Sequence, residues 1–397
     1  MGKLVIGIEV APDHAFGRAF AEGVSKFAIE QKNWKLRPLR QDNLNVETLG
    51  RCDGAILRVL NDRVERIARE TGVALVDISC ERPRSGIAQI TTDEAAAGRL
   101  AAEFLLFRGF THFGTCGVNN FAYSDICTNA FCQRIRESGF PVSHYECPSR
   151  FRGKDILDNG TPYKTPDAAD IRRWLLSLPK PAAVFCCNDH RAYQVMDTAL
   201  KAGLNVPHDI AILGCDNDTM LCSFAEVPIS SIDPDAFRVG YTAARLLHAI
   251  IQKRPIKRAH KTMLIPPKEL VERESTEFAP FDPPWLAEAV LTIERNLADG
   301  ISANEIFKSS GFSPPYVEKT FKQKLGCSVQ TYITEARMRK AVSLLKIGEL
   351  STKVIAAACG YASPQYFCRV FKSRFGTSPK GKSACQLRQP LRPAKSV

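Results

Sequence analysis

The 397-residue sequence predicts an N-terminal α/β domain of two lobes built on parallel sheets, followed by an all-α domain with two helix-turn-helix motifs. Three observations predict this organisation. Short apolar runs alternate with helical patterns over residues 1–275, as in parallel sheets that are covered by helices. A pattern of two short helices around a glycine occurs twice near the C-terminus. Most of the net positive charge lies in that same part of the chain.

The alternation gives the elements of the N-terminal part in order. The predicted strands are residues 4–10, 54–59, 74–78, 87–91, 113–117, 183–187 and 210–214. The predicted helices are residues 16–31, a stretch between 59 and 74, residues 94–109 with Asp93 as the cap, and residues 123–138, 166–177, 189–202 and 234–251. Because residues 1–275 are many for one such sheet, we expect two lobes with a cleft between them. The polar stretch 148–165 is predicted to be a loop, and the Pro-rich stretch 276–284 a linker.

The doubled pattern covers residues 306–326 and 355–376. In each copy a glycine, Gly311 or Gly360, ends a short helix and can adopt a positive φ. A serine cap and a proline then start a second helix, over residues 314–324 in one copy and 364–374 in the other. A long helical pattern over residues 329–345 connects the copies. The sequence therefore predicts a domain over residues 285–385 with two recognition helices for the DNA major groove, and a tail over residues 386–397.

The polar face of the two recognition helices supplies the candidate DNA contacts. They are Glu318, Lys319, Lys322, Gln365, Arg369 and Lys372. Gln365 can pair with adenine and Arg369 with guanine, whereas Lys322 and Lys372 lie one turn further along and are expected to contact phosphates. The connecting helix would span about 25 Å, so we expect the two recognition helices to enter successive major grooves on one face of the duplex.

Charge and composition limit the class of protein. Residues 285–397 hold 18 Lys and Arg and 7 Asp and Glu, whereas residues 1–284 hold 36 and 35. A basic domain on a near-neutral body is typical of a nucleic-acid-binding module. No apolar run approaches the roughly 20 residues that span a bilayer, and Glu9 and Asp13 stand where a signal peptide would have its cleavage site. The 14 cysteines are scattered without a C-x-x-C pair. We therefore expect a cytoplasmic protein with neither a zinc site nor a redox motif.

Two stretches of the sequence resemble known families of bacterial regulators. The segments YITEARMRKAVSLL and GYASPQYFCRVFKSRFGTSP resemble the linking helix and the second helix-turn-helix of the AraC family. The segments TTDEAAAGRLAAEFLLFRGFTHFG and CCNDHRAYQVMDTALKAGLNVPHDIAILGCDND resemble the periplasmic-binding-protein-like sensor domain of the LacI/GalR repressors. A LacI-like sensor followed by an AraC-like domain is the arrangement of the xylose operon regulators. The resemblance implies a sensor domain that starts on its first strand, with the DNA-binding domain placed last.

Candidate effector contacts follow from the strand ends and from this resemblance. Asp189 and Asp216 each follow a predicted strand, which is where ligands lie in open α/β sheets, and both match sugar-binding positions of the family. Phe16 and Arg18 lie after the first strand, where the family presents effector contacts. Arg191 matches an Arg at the same place in the xylose operon regulators. Alternatively, Asp189 caps its helix and Asp216 lies in a turn. Relatives commonly carry an Arg where this chain has Ile126-Cys127, so the identity of the sugar stays open.

Together these features predict a sugar-controlled transcription regulator, in the first instance an activator of a pentose catabolic operon with xylose as its effector. The expected partners are double-stranded DNA, a second copy of the chain and, for activation, RNA polymerase. No cofactor or catalytic group is expected: residues 376–383 fit a phosphate-binding loop only by chance, since no strand precedes them. The alternative is a solute-binding receptor without a DNA role. Retention on DNA at physiological salt separates these two hypotheses.

Overall fold

The structure, a computed structural model, describes residues 3–9, 11, 14–81, 86–119, 121–145, 147, 165–254, 262–347 and 350–379. For residues 343, 346 and 347 it describes only the backbone. The predicted loop at 148–165 except Thr165, positions 380–383 of the phosphate-loop pattern and the tail at 386–397 lie outside the described residues. The described part contains two six-stranded sheets followed by a helical domain, which confirms the predicted fold class.

Each lobe of the N-terminal domain is built around one sheet. In spatial order the first sheet consists of β11 (Thr262–Ile265), β5 (Ala88–Thr92), β4 (Ala74–Asp77), β3 (Gly54–Leu57), β1 (Leu4–Glu9) and β2 (Trp34–Leu39). The second consists of β12 (Glu269–Val271), β10 (Ser230–Asp233), β9 (Ile210–Cys215), β8 (Ala182–Cys186), β6 (Phe113–Cys116) and β7 (Val142–Tyr145). All neighbouring strands are parallel except β10 and β12. Loops that follow the strands therefore gather at one edge of each sheet.

Helices cover both sheets and form the C-terminal domain. Those of the N-terminal domain are α1 (Ala15–Gln31), α2 (Val46–Gly50), α3 (Asp62–Thr71), α4 (Glu94–Phe107), α5 (Ala122–Glu137), α6 (Ala168–Ser177), α7 (Asp189–Lys201), α8 (Thr219–Phe224) and α9 (Ala236–Ile251). Those of the C-terminal domain are α10 (Pro284–Arg295), α11 (Ala303–Ser309), α12 (Pro314–Leu325), α13 (Val329–Ile347), α14 (Thr352–Ala358) and α15 (Pro364–Phe375). None of the described helices is both long and apolar enough to cross a membrane.

The chain crosses between the lobes three times. After β5 in the first sheet, α4 leads into the second lobe, where it packs on α5. After β10 in the second sheet, α9 returns to pack on α1 of the first lobe. The chain crosses again between β11 and β12, which belong to different sheets. Three segments of the chain connect the lobes. Such a connection is compatible with a hinge motion that closes the lobes on each other while each lobe keeps its own core.

Each lobe has an apolar core of its own. In the first lobe, Phe20 and Val24 of α1 meet Val239 and Leu247 of α9 against the sheet. In the second lobe, both faces of the central strands β8 and β9 are covered, and every residue of these two strands is buried. Central parallel strands are buried on both faces and read as continuous apolar runs, which explains why the sequence revealed them.

The C-terminal domain has two small cores, one for each helix-turn-helix. The first includes Val317 and Phe321 of α12, and the second includes Phe367 and Phe371 of α15; all four side chains are fully buried. The helix α13 contributes to both cores. The stretch predicted as a linker, residues 276–284, is packed rather than exposed, since Ala279 is fully buried in the first of these cores.

Candidate functional site

Polar side chains gather where β8 and β9 end. Asn188 and Asp189 follow β8 directly, and Asp216 follows β9. The Asn188 side chain caps α7 by accepting the backbone N–H of Arg191 at 2.8 Å, and its amide also donates to the hydroxyl of Tyr123 at 3.1 Å. The capping role that was the alternative for Asp189 therefore belongs to Asn188. This frees the Asp189 carboxylate for contacts at the edge of the sheet.

Asp189 is fully buried and organises the loop after β9. Its carboxylate accepts hydrogen bonds from the Ser231 hydroxyl at 2.6 Å and from the backbone N–H of Asp218 at 2.7 Å. Burial raises the pKa of Asp189 to about 7, although these hydrogen bonds favour the ionised form. Asp189 thus supports the floor of the cleft, and its direct contact with an effector stays a prediction.

Asp216 lies in the turn after β9 with a φ of 110°. Its backbone N–H donates to the carbonyl oxygen of Ile232 at 2.9 Å, which fixes the turn against β10. Burial raises the pKa of the Asp216 carboxyl well above its usual value, and the nearby carboxylates of Asp189 and Glu94 raise it further. A buried carboxyl with acidic neighbours is poorly solvated, so hydroxyl donors of a bound ligand would stabilise its ionised form.

Glu94, the first residue of α4, is a site residue that the sequence reasoning missed. Its carboxylate accepts a hydrogen bond from the Thr92 hydroxyl and contacts the Cys80 thiol at 3.8 Å. Burial raises the pKa of Glu94 to about 7. An acidic residue after an Asp cap is ordinary in the first turn of a helix, so the local sequence did not single it out. From its place at the crossover between the lobes, its negative charge raises the pKa of Asp216.

Two contacts connect the lobes across the cleft. Arg18 of α1 donates from Nη2 to the Asp218 carboxylate at 2.8 Å. His14 lies 3.3 Å from His190 between ring nitrogens, with the rings arranged edge to face. Burial, together with the proximity of His14, lowers the pKa of His190 to about 4. The predicted site residue Arg18 therefore bridges the lobes, directly beside the loop that Asp189 holds.

The other two predicted effector contacts differ in their surroundings. Phe16 is half-buried; its ring is stacked on Phe20 with 6.5 Å between ring centroids, so it packs on the core of the first lobe next to the cleft. Arg191 is fully buried, and its guanidinium donates to both carboxylate oxygens of Asp167 at 3.0 and 2.5 Å and to Gln194 at 2.8 Å. These partners favour a structural role for Arg191 inside the second lobe.

The bridge between Arg18 and Asp218 leads to a prediction. Asp218→Asn keeps the side-chain oxygen that caps α8 through Leu221 at 3.2 Å, but removes the charge that Arg18 binds. Because Arg18 is 41% exposed, the ion pair is worth about 0.5–1 kcal/mol. Since this pair connects the lobes across the cleft, we expect its loss to weaken effector binding about two- to fivefold. Titration calorimetry measures this change. A larger loss in Arg18→Met would indicate that Arg18 also contacts the effector, whereas unchanged affinity in both variants would contradict a role for the bridge.

The two helix-turn-helices have the predicted turn geometry. Gly311 and Gly360 adopt φ values of 74° and 72°. At Gly360 a Cβ atom would lie 1.9 Å from the carbonyl oxygen of Leu297, so this turn also requires the absence of a side chain. Ser363 caps α15 by accepting the backbone N–H of Tyr366 at 3.2 Å, as predicted. Ser313 makes no such side-chain bond at the start of α12.

Five of the six predicted DNA contacts lie on exposed faces of the recognition helices. They are Lys319 and Lys322 of α12 and Gln365, Arg369 and Lys372 of α15. Glu318 is half-buried, and one of its carboxylate oxygens is inaccessible to solvent. In the second copy the equivalent position is the half-buried Cys368, so Glu318 lies at the partly buried edge of its helix rather than on the free face. The exposed faces further include Tyr316, Gln323, Tyr366 and Ser373, which the sequence reasoning did not select.

The helix α13 contacts both helix-turn-helices and thereby sets the distance between the two recognition helices. Its 19 residues span about 28 Å. Glu335 of α13 binds Arg374 of α15 at 2.7 Å, with both side chains about one third exposed. Arg337 of α13 donates to the carbonyl oxygen of Ile301 at 2.9 Å and lies over the ring of Tyr361. This one helix therefore connects the first helix-turn-helix with the second.

Two family models match the chain. A periplasmic binding protein-like domain matches residues 102–276, and a helix-turn-helix domain matches residues 300–382. The first match covers the second lobe together with α9 and β11 of the first lobe, and the second match covers both helix-turn-helix motifs. Fold and matches together define the chain as a DNA-binding transcription regulator that joins a periplasmic binding protein-like domain to a helix-turn-helix domain.

Within this class the chain is similar to the xylose operon regulatory protein of Escherichia coli (strain K12). The two are 26% identical over 377 residues, which covers 92% of this chain and 93% of that protein. The solved structure of a xylose-binding transcription activator covers 96% of this chain and 97% of its own, with a TM-score of 0.60 and 24% identity. A LacI family transcriptional regulator from Enterococcus faecium, solved with bound ribose, covers 70% of this chain and 100% of its own, with a TM-score of 0.56 and 21% identity. The predicted class of transcription regulator is confirmed.

Proposed function

We propose that the cleft between the two lobes binds a pentose, with D-xylose as the first choice, and that the bound sugar controls transcription of a pentose catabolic operon. The regulator acts in the cytoplasm as a homodimer, so that four recognition helices read a repeated site. Bound sugar favours the form that activates transcription, through contact with RNA polymerase. Xylose and ribose in the names of similar proteins support the choice of sugar class.

The observation that carries the proposal is a set of three poorly solvated carboxyls in the cleft, of which Asp189 is fully buried and Glu94 and Asp216 are half-buried. Glu94, Asp189 and Asp216 all have raised pKa values because burial disfavours their charge. Each hydroxyl of a sugar can donate a hydrogen bond to such a carboxylate, and charge-assisted hydrogen bonds are stronger than neutral ones. Arg18 and His14 lie at the rim and can contact the ring oxygen or hydroxyls. Such convergence of polar groups in a cleft is typical of small-molecule sites.

Control of DNA binding then follows from a coupling between two sites. A sugar that binds the closed cleft more tightly than the open one shifts the population toward the closed form. If the closed form also holds the recognition helices in the spacing of the operator, sugar and DNA binding reinforce each other. Couplings of this kind typically change affinity by about 5–150-fold. The same coupling requires that operator DNA increase the affinity for the sugar.

A thermal-shift screen tests the proposal. The purified full chain is melted with D-xylose, L-arabinose, D-ribose and D-xylulose, and with sorbitol as an uncharged control of similar size. A ligand that binds only the folded protein increases its free energy of unfolding, by about 2.7 kcal/mol when the ligand is present at 100 times its Kd, and therefore raises the melting midpoint. We expect D-xylose to give the largest shift. If no pentose raises the midpoint more than sorbitol does, the proposal is wrong. If another pentose gives a larger shift than D-xylose, only the identity of the effector changes.

The pKa values of Glu94 and Asp189, both about 7, predict how sugar affinity depends on pH. If hydroxyls donate to the ionised carboxylates, binding favours deprotonation, and the Kd for D-xylose should rise about tenfold per carboxyl between pH 8 and pH 6. His190, with a pKa of about 4, does not titrate in this window. Calorimetry at the two pH values measures the effect, and Glu94→Gln should remove part of it.

The stability of the sugar-free protein should fall as the pH rises, whereas its affinity for the sugar should rise. Since folding raises the pKa of these carboxyls above their usual values near 4, the folded chain binds more protons between about pH 4 and pH 7. Their contribution to the free energy of unfolding is therefore present at low pH and is lost as pH rises through about 7. Sugar affinity that does not vary between pH 8 and pH 6 would contradict the assignment of these carboxyls to the binding site.

A further inference from the structure

The helix α4 reaches from the cleft to the DNA-binding domain. Its first residue, Glu94, lies at the crossover after β5 and accepts a hydrogen bond from Thr92, and its last residue, Phe107, contacts the C-terminal domain. With 14 residues the helix is about 21 Å long. It is also one of the three crossovers between the lobes, so its N-terminal end lies where the lobes move relative to each other. One rigid element therefore touches both regions that regulation must connect.

The C-terminal end of α4 packs on α13, the helix that joins the two helix-turn-helices. The ring of Phe107 is stacked on Tyr332 with 5.2 Å between ring centroids and 20° between their planes. The guanidinium of Arg339 lies over the same Phe107 ring at 3.0 Å from its centroid. Aromatic and cation–π contacts of this kind depend on orientation, so a displacement of Phe107 changes the energy of its contacts with α13.

Arg108, the next residue, forms the ionic part of this contact. It is only 3% exposed, and its guanidinium binds Glu294 of α10 at 2.7 Å and the carboxylate of Glu272 after β12. Burial alone would lower the pKa of Arg108, but the two carboxylates outweigh it and raise the pKa. A buried charge is tolerated only while its partners stay in place. Arg108 therefore fixes the end of α4 against the first helix of the DNA-binding domain.

At the third residue, Gly109, the backbone of the chain packs closely against the ring of Phe281. The φ of Gly109 is 86°, and a Cβ atom there would lie 2.2 Å from the ring of Phe281, in the stretch that leads to α10. Three consecutive residues thus contact the C-terminal domain by aromatic, ionic and backbone contacts. A packed contact of this kind changes between discrete arrangements rather than deforming gradually.

We propose that α4 transmits sugar binding in the cleft to α13 of the DNA-binding domain, with Arg108 as the positioning residue at the contact. This inference rests on the proposed function, because it needs an effector in the cleft. When the second lobe closes on the sugar, α4 moves with it, and its C-terminal end shifts α10 and α13. The recognition helices follow because α13 connects them.

Removing the charge of Arg108 tests this inference. The variant Arg108→Met keeps a long apolar side chain. The matched control Arg134→Met removes an arginine of α5 that pairs with Glu103 of α4 at 3.6 Å, an ion pair between two helices of the second lobe. Anisotropy measures the Kd for a duplex selected from a random library by the wild-type protein, with and without D-xylose. We expect D-xylose to change this Kd at least fivefold in the wild type and in Arg134→Met, but less than about twofold in Arg108→Met.

The thermal shift with D-xylose separates the possible results. In Arg108→Met it should equal that of the wild type, because the cleft is intact. A full DNA response to D-xylose in Arg108→Met would overturn this inference and leave the proposed function standing. A wild type that D-xylose neither stabilises nor changes in DNA affinity would overturn both. If Arg108→Met does not fold, Glu294→Gln replaces it, since Arg108 keeps Glu272 as a partner; the same loss of response is expected, and a full response overturns the inference.

Discussion

Replacing Asp216 by Ala is expected to reduce strongly the thermal stabilisation by D-xylose without lowering the stability of the sugar-free protein. Burial raises the pKa of the Asp216 carboxyl, helped by Asp189 and Glu94, so its ionised form destabilises the folded chain near pH 7.5. Removing it therefore relieves a cost in the free protein. In the complex, loss of a charged hydrogen bond costs about 1.5–3 kcal/mol, which weakens sugar binding about 10–150-fold. Calorimetry and thermal melting measure the two effects.

Asp189→Ala is the variant to compare with Asp216→Ala, because the Asp189 carboxylate has protein partners. Its removal leaves the Ser231 hydroxyl and the backbone N–H of Asp218 without their acceptor. We expect the free protein to lose about 1–3 kcal/mol of stability, and sugar binding to fall because the loop that carries Asp218 is no longer held. If Asp216→Ala binds D-xylose as tightly as the wild type, the sugar does not contact this carboxyl and the cleft floor has been wrongly assigned.

The sequence predicted the central strands of both sheets but missed their edges. Residues of β8 and β9 form continuous apolar runs because both faces of these strands are buried. The edge strands β2 and β7 contain half-buried and exposed positions, with polar residues such as Lys35 and His144, so no apolar run marked them. The short strands β10 and β12 pair with each other although about 40 residues separate them in the chain, and this pairing accounts for their extended conformation. Such pairing is a tertiary effect that a local pattern does not contain.

The candidate cleft was predicted where it depended on strand ends and missed where it depended on the arrangement of the lobes. Asp189 and Asp216 were selected because each follows a buried strand, and their contact with an effector stays a prediction. The bridge from Arg18 to Asp218 joins residues 200 positions apart, and no spacing in the sequence relates them. For Arg191 a family position suggested an effector contact, whereas in the structure the buried carboxylate of Asp167 binds its guanidinium. Hydrogen-bond partners, which only the fold supplies, decide between these roles.

The recognition helices show how helical phase limits such predictions. Apolar positions identified the buried stripe correctly, since Val317, Phe321, Phe367 and Phe371 are all fully buried. Glu318 was selected because it is charged, yet it follows Val317 directly and shares the partly buried edge of the stripe with Cys368 of the second copy. Aligning the two copies by structure, rather than by charge, gives Lys319 and Arg369 as equivalent exposed residues.

Arg369→Ala is expected to weaken binding to the selected duplex by about 1–3 kcal/mol and to relax the preference at one base pair. Arg369 lies on the exposed face of α15, and its guanidinium lies 5.0 Å from the centroid of the Tyr366 ring, which restricts its directions. A guanidinium held in this way can present two parallel donors to guanine in the major groove. Anisotropy against a panel of duplexes with single base changes measures both the loss and its position.

Lys372→Ala is the control for a contact with phosphate. Lys372 is exposed near the end of α15, three residues beyond Arg369, and should bind the DNA backbone. Its removal should weaken all duplexes alike and reduce the slope of log Kd against log salt by about 1, because one fewer counterion is released. Equal losses on selected and random DNA in Arg369→Ala would show that Arg369 binds phosphate too. In that case α15 would lie in the groove in a different rotation, with Gln365 and Ser373 as the remaining exposed candidates for reading bases.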